Sequence, residues 1–390
     1  MNSILCSWHA ALKSIKDPIF ASEVGCIFPD GRAPDKLKQE VDELISKRWS
    51  KFVLSITKYA EYPRNYVRFC SKERRHNVWE DKTAKAYCLK DFLPFLPKGV
   101  MLFISSPMNT SSLFHLPAMT LANEMQNTSM ISVFLDWGEE GYKHDYDFSE
   151  YVENILMPAY VAVSNRFGLP VYLMGHHMGS IAACSLSVLL KNDDKAKPAG
   201  TVLMSMPWDF RDYTRTEQNA LDQILIAYIL QKLEKGEQFS FLLQILLNCF
   251  YPGKIFKKIC NFADETDQDK KELFVQIFDW LCDTRRLSKK FAMQFVLDWF
   301  KKNSIINKEL YVCGQLLDPR RIMNPVLLIN PLQDKVVPYT SSKKFIRQLR
   351  DCSLLSPDTG FFGVFVDEKA NEMFADGFRS WIIKTGIEIV

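Results

Sequence analysis

The residues best suited to chemistry lie in Val171-Tyr172-Leu173-Met174-Gly175-His176-His177-Met178-Gly179-Ser180, which reads as a short buried strand, a tight turn and the start of a helix. The pattern Gly-x-nucleophile-x-Gly across such a turn is that of a nucleophile elbow, whose small residues permit a sharp strand-to-helix reversal. Gly175 and Gly179 fill the glycine positions, and His177 stands at the apex, where a serine or cysteine would attack an acyl carbonyl. Acyl transfer also needs a histidine base, an acid to orient it and N–H donors for the oxyanion. In this kind of site the chain order is nucleophile, acid, histidine. His177 is nevertheless the last histidine of the 390-residue chain.

The other parts can be located by order and context. Asp334, in Asn330-Pro331-Leu332-Gln333-Asp334-Lys335-Val336-Val337-Pro338, occupies a strand-end loop suited to the acid. One oxyanion donor would be the backbone N–H of Met178, and the other would come from the loop Ser106-Pro107-Met108-Asn109, at Met108 or Asn109. The base is expected in a glycine-bearing loop near the C-terminus. The candidate there is Asp358-Thr359-Gly360-Phe361-Phe362-Gly363-Val364, with Phe361 at the natural site. A phenyl ring neither accepts nor donates a proton, so general-base catalysis through that position is excluded.

In several separate stretches the chain resembles the polyhydroxyalkanoate synthases. Phe134-Leu135-Asp136-Trp137-Gly138 resembles the family's Asp-Trp-Gly segment, and Met206-Pro207-Trp208-Asp209-Phe210 its Pro-Trp-Asp-Phe run. Phe278-Asp279-Trp280-Leu281-Cys282-Asp283 is similar to the Asp-Trp-Leu-Asn-Asp of the cap, and Asp334-Lys335-Val336-Val337-Pro338 to the Asp-x-Ile-Val-Pro that carries the acid. The likeness runs from about residue 76 to residue 385. It implies a Cys-His-Asp acyltransferase ancestry acting on hydroxyacyl-CoA thioesters, and an α/β-hydrolase fold. Against the family's Gly-x-Cys-x-Gly-Gly, the thiol position falls on His177 and the last glycine on Ser180, while the family's Gly-His loop falls on Gly360-Phe361. Asp334 alone of the three catalytic side chains carries over.

Rescues by neighbouring residues are poorly placed. Cys184 lies about two turns, or roughly 10 Å, down the helix from His177, and reads as a small core residue. Ser180 belongs to the first helical turn, where capping or packing is the expected role. An imidazole can itself form acyl adducts, so His177 with Asp334 is the alternative enzymatic reading. Vicinal His176 and His177 lack further ligands at diagnostic spacing, so no metal site is expected. No cofactor is called for.

The elements that must position these residues follow from texture. Val100–Ser105, Ile131–Asp136, Val171–Met174, Thr201–Ser205 and Pro325–Ile329 are continuous apolar runs, as parallel strands covered on both faces require. Residues 98–211 and 321–390 should form a mostly parallel sheet flanked by helices. Residues 212–320, with helical patterns over Ala220–Leu233, Phe239–Tyr251, Lys270–Leu281 and Ser288–Lys301, should form a helical cap. Residues 1–97 read as a helical N-terminal region. There a long amphipathic helix starts near Pro34, with Leu37, Val41, Leu44, Ile45, Phe52, Val53, Ile56 and Tyr59 as its stripe.

Composition narrows the function. Hydrophobic residues make up 47% and charged residues 24%, as in an ordinary globular protein, and the net charge of +3 is too mild to imply a nucleic-acid partner. None of the ten cysteines forms a Cys-x-x-Cys pair, the start has no signal-peptide pattern, and no apolar run is long enough to span a bilayer. A cytoplasmic protein that can associate with granules is expected. The expected function is that of a catalytically inactive synthase homologue, acting by association with an active synthase, a polymer granule or an acyl-CoA. Homo-oligomers are the other assembly expected.

Overall fold

The computed structural model describes residues 34–64, 75–89, 93–115, 120–190, 197–213, 219–243 and 252–387. The part of the expected helix Phe239–Tyr251 beyond residue 243 lies outside them, as does the N-terminal region before residue 34. The chain divides into two compact units, one of residues 66–213 with 287–390 and the other of residues 1–65 with 214–286.

The larger unit is built on an eight-stranded sheet in the order β1-β2-β4-β3-β5-β6-β9-β10. Its strands are β1 Arg75–Asp81, β2 Ala84–Leu89, β3 Gly99–Ile104, β4 Met130–Asp136, β5 Val171–His176, β6 Gly200–Met204, β9 Val326–Ile329 and β10 Cys352–Leu355, while β7 Tyr311–Val312 and β8 Gln315–Leu316 form a separate ribbon. β1 and β2 pair antiparallel, as do β2 and β4; from β4 across to β10 all neighbours are parallel. Every residue of β3, β5, β6 and β9 is buried, which is why these strands read as unbroken apolar runs. Helices Met157–Phe167, Met178–Leu189, Tyr339–Ile346 and Glu368–Lys384 lie between and after the strands. This is the α/β-hydrolase arrangement, a mostly parallel sheet flanked by helices.

Two boundaries differ from the sequence reading. Residues 75–89, expected within a helical N-terminal region, form the β1–β2 hairpin and extend the sheet. β1 is a half-exposed edge strand, and its charged and polar residues guard the open edge while hiding any apolar pattern. Residues 287–320, expected in the cap, belong to the sheet unit. Phe148 and Tyr151 pack on Phe291 at ring distances of 5.4 and 5.7 Å, and Phe148 lies 4.9 Å from Trp299.

The second unit joins the helix Pro34–Glu61 to the helices Asn219–Glu234, Pro252–Phe262 and Gln268–Cys282, which fall in the segment expected to form a cap. Proline at the first helical position suits the long helix, because the missing N–H would find no partner there. Its Phe52 stacks on Phe256 at 4.8 Å in a core shared with Ile259 and Cys260 and flanked by Ile56, Phe274 and Phe278. Ser55 Oγ donates to Cys260 O at 3.0 Å and accepts from Ala263 N–H at 3.2 Å, while Lys58 Nζ donates to Ala263 O at 3.0 Å. These bonds satisfy the C-terminal end of Pro252–Phe262, where carbonyls lack helical partners. Asp279 accepts from the Tyr59 hydroxyl, and from Arg64 Nε at 2.8 Å. Phe52, Ile56 and Tyr59 therefore face as the stripe requires, but Val53 is 47% exposed and Ser55 is buried instead. The side chains of Leu37, Val41, Leu44 and Ile45 lie outside the described set. Among the described residues no helix is long and apolar enough to cross a membrane.

Phe52→Ala should lower stability by about 3 kcal/mol, since it removes a buried aromatic from a small core. Urea denaturation of the variant measures this, and a loss below about 1 kcal/mol would mean that the Phe52–Phe256 stack contributes little to the unit.

Candidate active site

β5 continues through Gly175 and His176, and the chain reverses at His177, with φ 55° and ψ −122°, before the helix Met178–Leu189 begins. A left-handed φ at a non-glycine residue costs on the order of 1–3 kcal/mol and persists only where its surroundings enforce it. Here they do. A Cβ on Gly175 would lie 2.4 Å from Gly179 O, and one on Gly179 would lie 2.1 Å from Ile104 O. His177 N–H donates to Met204 O at 3.0 Å. Ser180 Oγ lies 2.8 Å from Gly175 O and 3.0 Å from Met204 O, and accepts from Met204 N–H at 3.1 Å. The turn is thus clamped between β3 and β6, with an imidazole at its apex.

Around the apex the backbone supplies donors. Met178 is the first helical residue, whose N–H has no acceptor within the helix. The loop after β3 is braced by Trp137 Nε1, which donates to Ser105 O at 2.9 Å. Gly138, with φ 60°, makes the turn that sets this tryptophan; a Cβ there would lie 2.4 Å from Thr83 C. Within the loop Asn109 N–H donates to Ser106 O at 2.9 Å, so that amide is committed to the turn. Met178 and Met108, the other positions expected to supply oxyanion donors, are both buried.

Asp334 is buried, and its carboxylate is well occupied. Oδ1 accepts from Val336 N–H and Val337 N–H, each at 2.8 Å, and Oδ2 accepts from Ser205 Oγ–H at 2.8 Å. Burial raises its pKa, opposed by these donors. Ser205 was not singled out in the sequence; it follows β6 in a left-handed conformation, φ 44°. The loop beyond is fixed by the Pro-Trp-Asp-Phe segment. Trp208 N–H and Asp209 N–H donate to Ser341 Oγ at 3.1 and 3.0 Å, and Ser341 donates to Asp209 O at 2.9 Å. Although burial opposes its ionisation, Arg211, Lys344 and Asn303 hold the Asp209 carboxyl well below the usual carboxylate range.

Phe361 is brought to the same place by the neighbouring loop. Leu332 N–H donates to Pro357 O at 3.0 Å and Gln333 N–H to Thr359 O at 2.9 Å. The Phe361 ring lies 4.7 Å from that of His176 and meets His177 edge-on at 5.8 Å. Phe365 and Phe114 complete the surroundings of His176, at 5.2 and 6.3 Å. His176 is buried, with Nε2 unpartnered, and desolvation followed by repulsion from His177 pushes its pKa down to about 3. His177 as a residue is partly exposed, yet desolvation of its imidazole lowers the pKa to about 4. Both imidazoles are neutral at neutral pH. Cys184 is buried in the helix and its thiol pKa is raised, mainly by burial, which makes it inert. Among the described residues no cluster of His, Cys, Asp and Glu could hold a metal ion.

The histidines predict an acid sensitivity. Their unfolded value is 6.5 and their folded values are about 3 and 4, so below pH 6.5 the unfolded chain binds protons that the folded chain refuses. Stability should fall with pH from there, by up to about 1.4 kcal/mol per pH unit for each histidine, and level off below the folded values. His176→Leu should remove one histidine's share, seen as a shallower decline of Tm from pH 6.5 towards pH 4 than in the unaltered protein. Parallel curves would show that His176 is protonated in the folded state.

No family model matches the chain. Over 129 residues it is 29% identical to the poly(3-hydroxyalkanoate) polymerase subunit PhaC of Allochromatium vinosum, covering 32% of this chain and 36% of that protein. The subunit of the same name from Haloferax mediterranei is 23% identical over 129 residues, 33% of this chain and 26% of its own length. The matched stretch is thus about a third of the bacterial relative's length and less of the archaeal one's. A thermostable carboxyl esterase from Bacillus coagulans, solved in complex with glycerol, superposes with a TM-score of 0.51 at 15% identity, covering 81% of this chain and 98% of its own. That likeness is one of fold.

Proposed function

We propose, from the premise that this chain is a divergent relative of the polyhydroxyalkanoate synthases on an α/β-hydrolase fold, that it has lost acyl transfer and acts by association with an active synthase, a polymer granule or an acyl-CoA. The observation that carries this reading is the pairing of His177 with Phe361, 5.8 Å apart, where a thiol and its base would stand. A phenyl ring cannot take the proton of a nucleophile, and Asp334 is already satisfied by Ser205 and two backbone N–H groups. The retained strained turn supports descent from an active site.

A second reading keeps catalysis. A neutral imidazole at a strained, partly exposed apex is the protonation state that a histidine nucleophile needs, and His177 has it. Its weakness is that Phe361, the ring facing His177, cannot carry protons through the cycle, and that Asp334, the acid this reading would use, is already bonded to Ser205, Val336 and Val337.

CoA release from 3-hydroxybutyryl-CoA by the folded protein, with His177→Ala alongside, separates the two. The proposal expects no release above background from either. Turnover abolished by His177→Ala would instead establish histidine-dependent catalysis. His177→Cys combined with Phe361→His should recover weak release, because Ser205 competes for Asp334 Oδ2. Adding Ser205→Ala should raise it about tenfold or more by freeing the acid to orient the new histidine. If the triple variant equals the double, Ser205 does not compete with that histidine.

A further inference from the structure

The two most exposed large apolar side chains described in the sheet unit, Phe95 and Leu96, lie far from His177 in the fold. In the β2–β3 loop Phe95 is 96% exposed, Leu96 70% and Leu93 47%, with Pro94 and Pro97 interleaved. β3 and β5 are parallel. The loop enters β3 at its N-terminal end, whereas the turn at His177 leaves β5 at its C-terminal end. The two therefore occupy opposite ends of the sheet.

The end bearing Phe95 also gathers cations. Lys98 directly precedes β3, Arg166 lies shortly before β5, Lys197 before β6 and Arg350 before β10. Lys384 joins them, since neighbouring Trp381 packs at Gly200 and Thr385 Oγ1 bonds the Tyr172 hydroxyl at 2.8 Å. In the order β3-β5-β6-β9-β10, strand spacing puts Lys197 about 10 Å and Arg350 about 20 Å from the loop's exit. Among the described residues directly preceding the parallel strands, Asp351 is the acidic one.

We propose that the β2–β3 loop inserts Leu93, Phe95 and Leu96 into an anionic phospholipid surface, with the cations of the same sheet end facing the headgroups. A side chain exposed as fully as Phe95 has almost no support from its own chain, so the tip is convex. A specific protein interface needs about 800 Å² from each partner, which three side chains on a tip do not supply. A fluid apolar layer moulds itself around such a tip. Pro94 and Pro97 restrict the backbone, so little conformational freedom is lost on insertion. Each Lys or Arg near an anionic surface strengthens binding about fivefold, and salt weakens that share. This surface does not depend on whether acyl transfer survives at His177.

Co-sedimentation of the full-length protein with vesicles of phosphatidylcholine and phosphatidylglycerol tests it. The unaltered protein should pellet with them, and less with phosphatidylcholine alone or in high salt. Phe95→Ser with Leu96→Ser should lower the partition coefficient about a hundredfold, at about tenfold per side chain, and leave the melting curve unchanged because both residues are exposed. Protein that stays in the supernatant would overturn the proposal, as would a double variant that binds like the unaltered chain. Binding insensitive to both phosphatidylglycerol and salt would overturn the role of the cations. A double variant that still binds vesicles but elutes as a smaller species in gel filtration would assign the tip to contacts between copies.

Discussion

The rest of the site depends on one close approach, that of Gly179 to the end of β3. A Cβ at Gly179 would lie 2.1 Å from Ile104 O, so the helix Met178–Leu189 seats where it does only with glycine there. That seating leaves His177 with a left-handed backbone, and its N–H reaches Met204 O at the end of β6. One residue on, Ser205 donates to Asp334, and the loop of Asp334 is tied through Gln333 N–H to Thr359 O, two residues before Phe361. The path from turn to acid to C-terminal loop is thus made of backbone bonds and one serine hydroxyl. None of its links uses the side chain of residue 177 or 361, so both can change while the frame persists.

That independence alters what the retention of Asp334 means. In a working triad the carboxylate is kept for the imidazolium that forms beside it. Here Oδ1 takes two backbone N–H groups that close the turn at Val336 and Val337, and Oδ2 takes the Ser205 hydroxyl. Replacing the aspartate would leave these buried donors unpaired, at roughly 1–3 kcal/mol each. Architecture alone is enough to hold Asp334 in the sequence. Phe361 acts in the other direction: with Phe365 and Phe114 it desolvates His176 and keeps it neutral.

How much could be read from the sequence follows from the same physics. Gly175, Gly179 and the buried parallel strands were legible because sterics and two-sided burial leave few residue choices. The β1–β2 hairpin was not. Its turn places Lys82 at φ 53°, where glycine or asparagine would have signalled a hairpin, and its outer strand is polar because it lies at an edge. β10, half-buried at the opposite edge, carried too little apolar pattern to stand out. In the helix Pro34–Glu61 the buried Ser55 broke the expected stripe, because it caps Pro252–Phe262 instead of filling volume. Ser205 escaped notice for a similar reason: a serine at a strand end has no signature until its partner is known.

The segments that carried the family resemblance are structural brackets, each within its own unit. Trp137 braces the loop after β3, Asp209 and Trp208 fix the chain beyond Ser205 to Ser341, and in the other unit Asp279 ties Tyr59 and Arg64. Each is a large or charged side chain whose removal would leave a buried group unpaired or a void, so stability alone gives each a role whether or not the protein turns over a substrate. Such motifs report ancestry and shape. The frame is indifferent to the side chains at 177 and 361, which in this chain are a histidine at the apex and a phenylalanine facing it.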